Sequence, residues 1–284
     1  MKNEYKQMSA TGKIGSFFIS AFLMVWALIQ IFPLYWLFTF SLKDNSEIFS
    51  GNIAGLPVKW LWSNYTKALV DAKVGLYLMN SVIVTGITII LTAAFSLMAT
   101  YALTRMKWKY RNNTLTLFLL GMMIPIHAAL LPVFLIMHQL KVLNSYWSLV
   151  LPYVAFGIPM AILIFSGFIQ TIPRELEEAA CIDGCNIYGI FYKIILPLLK
   201  PAIATVAIFT FLQSWNEMMF AVVFISNPKF KTLTVGIMGM AGQYSTDWGP
   251  IGAALLVATL PTLIIYLLLS GQVQKSLVAG AIKG

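Results

Sequence analysis

Residues 178 to 197 read Glu-Ala-Ala-Cys-Ile-Asp-Gly-Cys-Asn-Ile-Tyr-Gly-Ile-Phe-Tyr-Lys-Ile-Ile-Leu-Pro, a polar segment set between two long apolar stretches. About thirty residues of organised, charged helix suggest a docking surface for something soluble, since a plain turn between spans needs only a few polar residues. Cys181 and Cys185 are four apart, but zinc takes four ligands and neither His nor further Cys stands nearby, so both read as small, reduced packing residues. His127 and His138 have no partner carboxylate in sequence, which leaves little case for a metal or a proton relay. Ile164-Phe165-Ser166-Gly167 lacks the first Gly of a Gly-x-Ser-Gly run, which argues against an intramembrane serine protease. A phosphate loop of the form Gly-x4-Gly-Lys-Ser/Thr is absent, Gly12-Lys13 being isolated, so the chain is expected not to be an enzyme and not to hydrolyse ATP itself. Glu217 is different. It interrupts an apolar run just after Asn216, and an ionisable group at membrane depth is a functional candidate that faces the bundle interior.

The elements that must position these residues are membrane spans. Of 284 residues, 59% are hydrophobic and 10% charged, with mean hydropathy +0.81, against about 25% charged in soluble domains. A crossing needs about 20 apolar residues. Runs of that length predict six transmembrane helices at approximately 14–42, 78–104, 113–139, 147–171, 201–225 and 249–273, the fifth broken by Glu217. The expected fold is all-α, a polytopic membrane protein with a single transmembrane domain over 1–284 and an organised polar segment at 172–200 between helices 4 and 5. The first apolar run is about twice the length of a signal-peptide core and is read as a retained span.

Lys and Arg near span ends stay in the cytoplasm. Lys2, Lys6 and Lys13 precede the first span, Arg105, Lys107, Lys109 and Arg111 crowd the second connection, and Arg174, Lys193 and Lys200 lie in the fourth. Both termini are therefore expected to be cytoplasmic. The net charge of +9 follows this topology signal, and no basic stretch interleaved with aromatics suggests nucleic acid. Residues 43–73 read as a small external cap with Trp60, Trp62 and Tyr65 at the membrane interface, and residues 226–248 as a polar, Gly-rich loop. Prolines at 33, 125, 132, 152, 159 and 261 should kink the spans.

Within the polar segment, Pro173 suits a first helical position, and Glu175, Glu177 and Glu178 place carboxylates where the helix dipole favours them. Asp183-Gly184 should turn the chain, and Asn186 should cap a second short helix running to Ile194, with Leu196-Pro197 ending it. Leu176, Ala179, Ala180, Ile187, Ile190, Phe191 and Ile194 supply the apolar contacts of this helix-turn-helix finger, while the carboxylates stay exposed.

The spacing Glu-Ala-Ala, three residues, Gly184, nine residues, Ile194, one residue, Leu196-Pro197 resembles the cytoplasmic signature of permease subunits in binding-protein-dependent ABC importers. Met123-Ile124-Pro125, Leu151-Pro152-Tyr153, the stretch from Ile172 to Glu178, Trp215-Asn216-Glu217 and the ending Ala279-Gly280-Ala281-Ile282-Lys283-Gly284 extend the resemblance to the carbohydrate-uptake, maltose-transporter type, and to its shorter six-span partner. The resemblance implies half of a heterodimeric pathway with alternating access, in the inner membrane of a bacterial cell. Its partners would be a longer permease subunit, two ATP-binding subunits that use ATP and Mg, an extracytoplasmic solute-binding protein and a sugar, with no cofactor bound by this chain. It further implies that Glu178, Ala179, Ala180 and Gly184, with Asp183 of the turn, dock on the ATPase. Asn216 and Glu217 would line the translocation path. Gly242, Gln243 and Tyr244 would belong to a loop reaching the binding protein, and the tail from Leu277 would enter the ATPase interface. A permease for peptides, amino acids or polyamines, or a stand-alone secondary transporter with Glu217 as its coupling carboxylate, are the alternative readings.

Overall fold

The computed structural model describes residues 10–242 and 246–281, and among these all regular structure is helical. The helices are α1 (Ala10–Phe40), α2 (Asn45–Phe49), α3 (Ser63–Thr66), α4 (Val74–Thr104), α5 (Arg111–Leu120), α6 (Leu130–Gln139) and α7 (Trp147–Ile169). They continue with α8 (Glu175–Ile182), α9 (Ile187–Ile190), α10 (Leu196–Leu198), α11 (Lys200–Trp215), α12 (Met219–Phe224), α13 (Leu233–Met238) and α14 (Trp248–Ala281). Four of them contain an apolar stretch long enough to cross a membrane, at Gly15–Phe40, Val74–Thr104, Trp147–Ile169 and Trp248–Leu268. The pair Ile187–Leu198 and Lys200–Trp215, bent by 73°, adds a fifth if it is counted as one span.

The runs at 113–139 and 201–225, each expected to be one span and the second broken by Glu217, are both interrupted. In the first, α5 ends in a 3-10 turn at Gly121–Met123, and Ile124 takes an extended conformation (ψ 115°). Pro125 explains this, because its ring disfavours helical backbone in the residue before it. In the second, α11 stops at Trp215 and helix resumes at Met219. Apolar content alone does not show the first break, whereas the charge of Glu217 marks the second.

Contacts divide the chain into two units. One holds α1, the cap that follows it and the first turns of α14. Its centre is Lys43, whose side chain is fully buried and whose Nζ donates to the carbonyls of Asn52 (2.6 Å) and Ile53 (3.4 Å). Asn64 donates to the carbonyls of Ser41 and Lys43 (3.0 and 2.9 Å), which pins α3 to the end of α1. Trp60 stacks on Trp62 and Trp62 on Tyr65, so the aromatics read as interface residues form one stack. The apolar window of α1 has no buried side chain, Phe17, Phe22, Trp26 and Ile29 all being more than half exposed.

In the other unit α4 packs along α7 and α11. Ser81, Thr85, Thr88, Thr92, Ser96 and Thr100 recur every three or four residues on α4 and are all buried. Small side chains on one helical face let neighbouring backbones approach closely. Gly157 of α7 shows how closely, since a Cβ there would stand 3.2 Å from the Thr92 methyl. Two apolar clusters close the ends of this packing. One gathers Val84, Leu149, Val150, Tyr153, Phe220 and Phe224, the other Leu97, Tyr101, Phe165, Ile169, Ile195 and Leu199.

Candidate functional site

The second cluster carries the polar segment. Helix α8 begins at Glu175, two residues after the expected Pro173, with Glu175, Glu177 and Glu178 in its first turn. Gly184 then adopts φ +82°, the left-handed region that the Asp183-Gly184 turn calls for, and a Cβ there would meet no neighbour. Asn186 caps α9, its side-chain oxygen accepting the Gly189 N–H at 2.8 Å. Helical backbone continues past Ile194 as a π-helical turn at Phe191–Ile195 and through Pro197 in α10. The sharp bend therefore falls at Leu199, two residues beyond the expected end.

The finger has two faces. Glu178, Ala179, Asp183 and Gly184 are exposed, together with Ile182 (87% exposed) and Tyr188 (72%). Ala180, by contrast, is buried in the chain's own cluster with Ile190 and Phe191, so its small side chain serves the packing of α8 onto the bundle. Cys181 is exposed rather than packed, while Cys185 lies against the cluster, and both are free thiols.

Glu177 is not an exposed carboxylate. Its Oε1 lies 2.9 Å from Arg105 Nε as an ion pair off the line of an aligned hydrogen bond, and its Oε2 accepts the Tyr101 hydroxyl at 3.1 Å. The same guanidinium donates through Nη2 to the carbonyls of Ile169 (2.7 Å) and Ile172 (2.6 Å). Arg105, read from sequence only as a topology signal, thus joins α4, the end of α7 and α8. No local pattern announces it, because the last residues of a span are a common place for Arg.

At the break between α11 and α12, Glu217 is buried and fully engaged. Its Oε1 accepts the Phe220 N–H (2.8 Å) and its Oε2 accepts the Ala221 N–H (3.3 Å) and the Tyr153 hydroxyl (2.5 Å). Breaking a helix frees backbone N–H groups that hydrocarbon cannot satisfy, and this carboxylate satisfies two of them. Asn216 is exposed, and its Nδ2 returns to the carbonyl of Leu212 (2.9 Å). Beside it opens a cleft of about 380 Å³ lined by His127, Gln213, Asn216, Glu217 and Met218, which brings His127 to the same place. Gly242 is exposed, whereas Gln243 and Tyr244 lie outside the described residues, as do the last three residues of the tail. Just beyond, Asn45 brackets the start of α14, donating to the Thr246 carbonyl (2.7 Å) and accepting the Trp248 N–H (2.9 Å). Among the described residues no three His, Cys, Asp or Glu side chains gather to hold a metal ion.

Residues 93–277 match the family described as binding-protein-dependent transport system inner membrane component. The chain belongs to this family. Among relatives of this transport component, the sulfoquinovosyl glycerol transport system permease protein SmoH of Agrobacterium fabrum is 36% identical, over 96% of this chain and 95% of that protein. The trehalose/maltose transport system permease protein MalG of Thermococcus litoralis is 32% identical over 94% of this chain and 95% of its own. A bacterial ABC transporter involved in the import of the acidic polysaccharide alginate has the same fold, with a TM-score of 0.81 at 22% identity over 93% of this chain and 98% of that one. As an inner membrane component with several apolar helices, the chain is a multi-pass membrane protein.

Proposed function

We propose that this chain is the permease subunit of an ATP-driven sugar importer, one half of a heterodimeric pathway whose alternating access is driven by a separate ATPase. The observation that carries the proposal is the two-faced finger: one side buried in the core of the bundle, the other presenting Glu178, Ala179, Asp183 and Gly184. A polar connection that only reversed the chain would need neither a packed inner face nor an organised acidic outer one.

In this reading residues 172–200 are the cytoplasmic coupling segment between the fourth and fifth of six spans, and both termini are cytoplasmic, in the inner membrane of a bacterial cell. The interrupted runs at 113–139 and 201–225 cross as broken helices. Broken helices are admissible at membrane depth where the freed backbone is satisfied internally, as Glu217 does for Phe220 and Ala221. Glu178 pairs with a basic residue of an ATP-binding subunit, and closure of two such subunits, with ATP and Mg, rocks the spans. A longer permease completes the pathway, and an extracytoplasmic binding protein delivers cargo near the loop that contains Gly242, Gln243 and Tyr244. Asn216 lines the path through the cleft it shares with Gln213 and His127. The sugar class is supported by SmoH and MalG, whose names place them in sulfoquinovosyl glycerol and trehalose/maltose transport. Against a stand-alone secondary transporter stands Glu217, whose carboxylate is already occupied by three donors.

The test is uptake in cells that carry Glu178→Lys or Gly184→Pro. Loss of uptake with the permease still in the membrane is the expected result. Uptake that persists when the ATPase subunit is deleted would overturn the reading.

A further inference from the structure

We infer that Arg105 and Glu177 form the joint that fixes the finger to the bundle in one orientation, with Arg105 a positioning residue for coupling. The inference rests on the proposed function and adds to it the residues that must hold α8 rigid.

Helix α8 has eight residues, too few to keep its place by its own hydrogen bonds. Ala180, Ile190 and Phe191 bind the finger to the bundle by apolar contact, which is adhesive but non-directional. A finger held only in this way can slide or roll under load, and movement lost in sliding never reaches the spans. The Arg105 side chain is 8% exposed and that of Glu177 15%, and the guanidinium makes its contacts in a fixed plane. Two of its bonds go to the carbonyls of Ile169, the last residue of α7, and Ile172, just beyond it, where the helix end carries partial negative charge. Its ion pair goes to Glu177, and Tyr101 fixes the other carboxylate oxygen. Three helices therefore meet on one rigid group. Glu177 and Glu178, adjacent in sequence, divide the work: the first faces inward and sets the position of α8, the second faces outward.

The experiment uses the intact transporter, with its ATPase, partner permease and binding protein, reconstituted in lipid vesicles, and measures solute imported per ATP hydrolysed. Arg105→Lys keeps the charge and loses the planar fork. Tyr101→Phe removes one hydrogen bond without burying an unpaired charge. Solute imported per ATP is expected to fall about two- to thirtyfold in Arg105→Lys and by a smaller factor in Tyr101→Phe, with ATP hydrolysis retained. Complexes of normal yield and a wild-type ratio would overturn the inference, since a merely structural pair changes yield and melting but not the ratio. If Arg105→Lys does not assemble, Tyr101→Phe decides: an unchanged ratio overturns the joint. Wild-type import that needs no ATP would instead remove the proposed function, and this inference with it.

Discussion

The Tyr153 hydroxyl and the Glu217 carboxylate meet at 2.5 Å across 64 positions of sequence, at the place where α11 has ended and α12 has not begun. The pair closes the break. Glu217→Ala leaves the Phe220 and Ala221 N–H groups and the Tyr153 hydroxyl without their acceptor, and is expected to cost about 3 kcal/mol. Tyr153→Phe removes one interhelical bond and is expected to cost about 1 kcal/mol, in the range measured for such bonds in membranes. Thermal melting of the purified protein in detergent ranks the two, and equal losses would show that Glu217 does not serve the backbone.

Gly184 stands at φ +82° with open space where a Cβ would go. Only the backbone resists a side chain there. Gly184→Ala is expected to destabilise the finger by about 1–2 kcal/mol, with Gly184→Asn milder because Asn tolerates that region. Protease susceptibility of the finger in the purified protein checks the order.

Gly236 on α13 lies directly against the Tyr77 ring of α4, in the space a Cβ would fill. Gly236→Ala must push the ring or the helix, and an overpacked site of this kind costs about 1–3 kcal/mol. Gly236→Ala with Tyr77→Leu should recover part of the loss, as a double-mutant cycle on melting temperature would show.

Lys43 is pushed below its ordinary pKa of 10.5, chiefly by burial, with the nearby Glu47 acting in the opposite direction. The unfolded chain keeps this proton up to about 10.5, while the folded cap releases it earlier. Between those two points the unfolded state binds more protons, so folding stability should rise with pH. Lys43→Met should abolish that rise while lowering stability overall, since the Asn52 and Ile53 carbonyls lose their donor. Fluorescence of the Trp60–Trp62 stack during melting, compared between the two proteins through the alkaline range, isolates the contribution.

The parts of the finger legible in sequence are those set by local chemistry. Asp183-Gly184 turns because Gly accepts a positive φ, and Asn186 caps because its side chain reaches an N–H three residues on. What escapes is the direction in which a residue faces. Ala180 carries no polar group to mark its side, and lies inside rather than on the outer face with Ala179. Glu177 and Arg105 each have an ordinary local explanation, a first-turn acid and a span-flanking base, that hides their pairing. The first interrupted span escapes for another reason: an apolar count gives helix length without helix continuity, whereas the charge of Glu217 marks the second break.

With Glu177 turned to Arg105 and Glu178 about 100° round the same helix and exposed, the bearing of each depends on the length of the chain before it. Deleting one residue between Pro173 and Glu177 would turn the following helix by about 100° on its axis. The inward anchor would swing away from Arg105 and the outward carboxylate would take a different bearing, although every side chain was retained. Single-residue insertions or deletions there should therefore abolish uptake even where every side chain of the docking face is kept.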